Sequence, residues 1–171
     1  MKKLLIAIVA LVVIAGGAAG AWYYASPGMT LKAMQDAAKA GDADRLAAYI
    51  DFPALRTSLK EELRAKATAE MAKPENREGF AALGAMMALK LVDGMVDSMI
   101  TPATMRRAFA ERQGSAPKMI AIDPASPSIA IIREGIDQFT VIDKAKGTKS
   151  GALVFRRQGL RWRLVGVRIV D

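Results

Sequence analysis

LLIAIVALVVIAGGAAGAWYY, residues 4–24, carries no charge, follows Met1-Lys2-Lys3 and ends in Trp22, Tyr23 and Tyr24. About 20 apolar residues cross a bilayer core as a helix. Two lysines before such a run favour a cytoplasmic N-terminus, and Trp and Tyr beyond it match the aromatic belt at headgroup level. Lys2, Lys3, Trp22, Tyr23 and Tyr24 are therefore the expected membrane-interface residues. Ser26-Pro27-Gly28 is expected to break the helix and begin the soluble part. A cleaved signal peptide competes with the anchor: Leu4 to Ile14 would be its apolar core and Ala19-Gly20-Ala21 an A-x-A-like cleavage site. The apolar run continues past so short a core, which favours the anchor. The chain thus divides into residues 1–25, anchor or signal, and a single domain over 26–171, extracytoplasmic under either reading.

The domain comprises about 145 residues, enough to bury a core without disulfides or a metal. The whole chain has ten aromatic residues and a formal charge of +8, of which Lys2 and Lys3 supply two. That balance suits plain solubility and also anionic partners. Cysteine and histidine are both missing. Disulfides, thiol nucleophiles, lipid-modified cysteine, Ser-His-Asp triads and imidazole zinc sites are thereby excluded. Carboxylate, lysine, tyrosine and hydroxyl chemistry stays open, but no catalytic motif is present, and the reading leans away from an enzyme. No metal site and no cofactor is expected.

Along the domain, Thr30 caps an expected helix from Leu31 to Ala40, with Leu31, Met34 and Ala38 on one face. Gly41 suits a left-handed C-terminal position, and Asp42 caps a short helix from Ala43 to Tyr49. Asp51-Phe52-Pro53 opens a third helix, whose apolar stripe is Leu55, Leu59, Leu63, Ala67 and Met71. Lys73 to Glu78 reads as a loop. Gly79 to Met99 is a very apolar helix, and Thr101-Pro102 starts another. Prolines 117, 124 and 127 punctuate a linker. Four strand-like segments follow: Ser128 to Arg133, Gln138 to Ala145, Gly151 to Arg157 and Arg161 to Val170. Lys146-Gly147-Thr148-Lys149 and Gln158-Gly159 mark turns. Helices first and strands afterwards imply an α+β fold, with several helices packed on a curved antiparallel sheet of about four strands.

Residues 26–63, SPGMTLKAMQDAAKAGDADRLAAYIDFPALRTSLKEEL, resemble an uncharacterised bacterial family, domain of unknown function 2939. The likeness rests on Ser26-Pro27 after a membrane segment, the Ala-Gly-Asp turn at 40–42, Asp51-Phe52-Pro53-Ala54-Leu55-Arg56 and Ser58-Leu59-Lys60. Val92-Asp93 to Thr101-Pro102 is also similar. The family often has an aromatic after Ser-Pro, where this chain has Gly28. The resemblance implies a membrane-anchored protein without assigned activity and carries no site residues. The order of elements also looks like cystatin-like or nuclear-transport-factor-2-like domains, in which a curved sheet wraps a helix.

Three groups of residues are candidates for function. Met86, Met87 and Met95, with Met99 and Met105, would line an adaptable apolar surface; core packing is the commoner role for Met at such spacing. Asp93 and Asp97, four apart on one helix face, would supply paired carboxylates, or merely a solvated stripe. Arg156, Arg157, Arg161 and Arg163, around Trp162, would form a basic surface for lipid headgroups, or only guard exposed strands. Strand alternation sends Trp162 to the opposite side from Arg161 and Arg163, into the core. The expected protein is a periplasmic, single-pass, inner-membrane binding module without catalysis. Its site would lie between the Met-rich helix and the concave side of the sheet, for a small apolar ligand, a lipid or an envelope protein. Alternatives are a structural or assembly factor, a carboxylate-based hydrolase or metal-dependent enzyme, and a soluble periplasmic protein after signal cleavage. Nucleic acid is not expected as a partner.

Overall fold

The computed structural model describes residues 2–72, 79–111, 123–145 and 151–169. The chain forms α1 (Lys2–Lys39), α2 (Ala43–Ala47), α3 (Phe52–Met71), α4 (Gly79–Met99) and α5 (Pro102–Glu111). Then come β1 (Ile129–Glu134), β2 (Gln138–Asp143), β3 (Gly151–Gln158) and β4 (Arg161–Ile169). The four strands form one antiparallel sheet in the order β1-β2-β3-β4. The fold is α+β, helices first. The expected loop at 73–78, the turn at 146–149 and the linker before residue 123 lie outside the described residues.

The expected break at Ser26-Pro27-Gly28 does not occur. α1 runs through it for 38 residues with Pro27 inside, roughly 57 Å at 1.5 Å per residue. Thr30 is therefore no N-cap; its hydroxyl donates to the Ser26 carbonyl at 2.9 Å. The two halves of α1 differ in burial. Its apolar first half is exposed, while Ser26, Pro27, Leu31, Met34, Ala37 and Ala38 are buried. Gly41, at φ 70°, takes the left-handed position that ends the helix.

Caps set the next starts. The Asp42 side chain accepts from the Arg45 amide at 2.8 Å, and that of Asp51 from the Ala54 amide at 3.1 Å. Asp51 also accepts from Gln158 Nε2 at 2.7 Å. The Ala54 amide first, and the Gln158 amide after it, hold the Asp51 carboxyl below the usual aspartate range. Thr101 Oγ1 caps α5 by accepting from the Thr104 amide at 3.0 Å.

Two layers of helix flank the sheet. Phe139, Val141, Phe155, Trp162 and Leu164 join the C-terminal half of α1, α2 and Phe109 of α5 in the main core. Phe139 and Phe155 stack at 4.7 Å between centroids, and Trp162 meets Phe139 edge-on at 4.9 Å. Just before α3, Ile50 bridges Leu164 at the edge of β4. A bulge follows: Phe155 pairs with Leu164 but Val154 with Gly166, leaving Val165 extra. Gly166 therefore belongs to the face away from α1. A Cβ there would come within 2.9 Å of Ser58 Cβ, so α3 crosses this face at its closest approach. Ser58 Oγ accepts from the Val167 amide at 3.3 Å.

Among the described residues, the Met-rich helix does not close over the sheet as expected. α4 packs on α3. The reason is electrostatic register: Arg56, Lys60 and Arg64 recur every four residues along α3. Asp97 meets Lys60 at 2.7 Å and Arg56 at 3.6 Å, and Asp93 meets Arg64 at 2.5 Å. Such part-exposed pairs set orientation more than they stabilise, at about 0–1 kcal/mol each.

Candidate functional site

Pro27 lacks an amide hydrogen, so the Tyr23 carbonyl one turn earlier has no helical donor. Proline inside a helix costs about 3 kcal/mol unless that group finds another partner. Here Ser26 Oγ donates to the Tyr23 carbonyl at 2.8 Å, and Arg133 Nη2, from β1, donates to it at 3.0 Å. The same nitrogen reaches the Tyr24 carbonyl at 2.7 Å. Ser26 Oγ in turn accepts from the buried Trp162 Nε1 at 2.9 Å. Tyr23 donates its hydroxyl to the Ile136 carbonyl, in the turn between β1 and β2, at 3.2 Å. A chain of donors from the sheet thus closes the gap that Pro27 opens.

Aromatic rings and guanidinium groups surround this junction. Arg133 lies 4.7 Å from the Tyr23 ring centre and 5.3 Å from that of Tyr24. Arg157 lies 4.6 Å from the Trp162 ring, 4.8 Å from Tyr23 and 5.8 Å from Trp22. Stacking of this type contributes about 0.5–2 kcal/mol each, more as water is excluded. Arg133 Nη1, Arg157 Nε and Arg157 Nη2 are buried, with no hydrogen-bond partner among the described residues. No carboxylate among those residues forms an ion pair with either arginine. A cleft of about 230 Å³ opens beside the junction, lined by Trp22, Ser26, Tyr49, Leu160, Arg161 and Trp162 among others.

The four arginines expected to form one basic surface are divided by the sheet. Arg157 pairs opposite Trp162, on the α1 face; Arg156 and Arg163 pair opposite each other on the other face. Arg161 sits exposed beside the Gly159-Leu160 turn. Arg156 lines a second, polar cleft of about 450 Å³ between α3 and the sheet, together with Ser58, Glu61, Gln138 and Arg168. At its edge Glu134 accepts from Thr140 Oγ1 at 2.6 Å. That hydroxyl first, then the Gln138 amide and Arg168, hold the Glu134 carboxyl below its ordinary range.

Asp93 and Asp97 each face α3 cations rather than a common cleft. Met87, Leu91, Met95 and Met99 form an exposed stripe along α4, at 57–77 % exposure. The Met86 side chain lies outside the described residues. Met105 packs against the main core. Lys2 and Lys3 lie at the exposed start of α1, and Trp22, Tyr23 and Tyr24 lie together at the junction. Among the described residues no three acidic groups converge as a metal site would need. Sequence reading missed Arg133, Ser26 and the Ile136 carbonyl. Pro27 itself was the available signal, since an internal proline leaves a carbonyl that some donor must find.

A family model described as a protein of unknown function (DUF2939) matches residues 17–108, more than half of the chain. The match begins inside the apolar run and ends in α5, so Arg133, Arg157 and Trp162 lie beyond it. No curated protein and no solved structure matches the chain.

Proposed function

Since the chain belongs to the DUF2939 family of proteins of unknown function, we propose that it is a membrane-anchored, extracytoplasmic module that acts by binding at the membrane surface and not by catalysis. The observation that carries this reading is the continuity of α1. One helix supplies an exposed apolar half long enough to cross a bilayer and a second half that is core. A domain built this way is held at fixed height and orientation, without a flexible tether. Trp22 to Tyr24 then lie at headgroup depth, where the junction arginines meet lipid.

The cysteine-free sequence makes the test clean. Ile136, 78 % exposed, is replaced by Cys in the full-length protein, and Lys3 by Cys in a second variant. A membrane-impermeant maleimide added to intact cells should label Ile136→Cys and spare Lys3→Cys until lysis. Labelling of Ile136→Cys only after lysis contradicts the reading. The exposed α4 stripe favours a second reading, an envelope assembly factor that works through a helix surface. Loss of a stable complex in the Leu91→Glu variant, with anchoring unchanged, would favour it.

A further inference from the structure

We propose that Arg133 and Arg157 form a binding site for the phosphate of an anionic lipid headgroup, in the leaflet on the domain's side. The proposal rests on the anchor reading above. Three observations converge on it. Trp22, Tyr23 and Tyr24 end the apolar run, which sets them at headgroup level. Both arginines contact those same residues and share their depth. Three of their guanidinium nitrogens are buried without an acceptor among the described residues, an arrangement that is costly for a charged donor until an anion is supplied.

The chemistry selects phosphate. Guanidinium presents its N–H groups in a planar fork that matches phosphate oxygens, and such charge-assisted bonds are the strong ones. The rings stacked on the arginines stabilise the cations through their π faces but leave the positive charge in place and accept no conventional hydrogen bond. Asp137 is near in the chain, and its carbonyl accepts from the Arg157 amide at 2.7 Å. It makes no salt bridge to either guanidinium. On the outer side each arginine is covered by an exposed ring: Trp22, 42 % exposed, over Arg157, and Tyr24, 74 % exposed, over Arg133. Trp162 is buried, so the side of the two exposed rings is the one from which a phosphate would approach. Arg156 and Arg163 lie on the opposite face of the sheet and are not part of the site.

Both tryptophans of the chain, Trp22 and Trp162, stack on Arg157, so intrinsic fluorescence reports on the site directly. Full-length protein is reconstituted in phosphatidylcholine vesicles with and without phosphatidylglycerol, and lipid retained after mild extraction is weighed by native mass spectrometry. The wild type should retain phosphatidylglycerol in preference to phosphatidylcholine, with a change in tryptophan emission. Arg157→Gln should reduce that preference roughly tenfold or more, while Arg156→Gln, on the opposite face of the sheet, leaves it intact. Equal retention of the two lipids by the wild type overturns the proposal, as does undiminished preference in folded Arg157→Gln. Should Arg157→Gln not fold, the wild-type comparison alone decides. Inorganic phosphate added to the protein in neutral detergent separates the sources: the full emission change with phosphate alone overturns a lipid site. A protein that alkaline washing removes from vesicles refutes the anchor reading instead; one that stays without lipid preference refutes only this site.

Discussion

A chain beginning at Ala40 should fail to fold, whereas one beginning at Ala25 should give a soluble domain with a cooperative melt. The longer version keeps Leu31, Met34, Ala37 and Ala38, all buried in the main core. The shorter one loses them together with the surface they cover on Phe139, Phe155 and Trp162. Removing a buried Leu or Met side chain costs about 2–5 kcal/mol. Two such losses, with the helix backbone gone as well, consume most of the roughly 5–15 kcal/mol that holds a domain. Circular dichroism and thermal melting of the two chains check this. A cooperative transition in the chain from Ala40 would mean that α1 only decorates the domain.

Trp162→Ala should be the most damaging single substitution, at about 3–5 kcal/mol. The indole is 2 % exposed. It packs edge-on to Phe139, carries Arg157 on its face and donates to Ser26 Oγ. Truncation therefore opens a cavity and removes one link in the donor chain that compensates for Pro27. Trp162→Phe separates the two effects: it keeps most of the packing and loses the N–H, so about 1–2 kcal/mol is expected. Denaturant melts of the full-length protein in detergent give both values. A loss below about 1 kcal/mol for Trp162→Ala would detach the indole from the core.

Much of the architecture was legible because short-range chemistry dictates it. Asp42, Asp51 and Thr101 each stand one residue before a helix and each caps it. Gly41 and Gly159 take the left-handed conformations that end a helix and turn a hairpin. Alternation along β4 placed Trp162 inward without further information. The local rule that predicts a break at Pro27 is sound but incomplete. A proline ends a helix when its orphaned carbonyl stays unpaired, and here the extra donor is Arg133, 110 residues away. Nothing near Pro27 announces that partner.

The placement of α4 failed for a subtler reason. Its apolarity points to a site over the sheet, and Asp93 and Asp97 taken alone are a pair of carboxylates or a solvated stripe. Their spacing of four repeats that of Arg56, Lys60 and Arg64, and the match between two helices carries the information that neither helix carries alone. The basic cluster around Trp162 likewise looks like one patch by spacing alone, although alternation, once applied to Arg156 and Arg157, sends them to opposite faces. The comparison with cystatin-like and nuclear-transport-factor-2-like domains rests on element order, and no solved structure matches.

Hydrogen exchange across residues 25–31 of the full-length protein in lipid nanodiscs is the most direct test of rigid coupling between the apolar helix and the domain. An unbroken α1 clasped by Arg133 and Trp162 should protect the amides of Gly28 to Leu31 as well as those of β2 and β3. Exchange of those amides at the rate of an unstructured chain, with β2 and β3 still protected, would mean a flexible linker at Ser26-Pro27-Gly28 and would contradict the account.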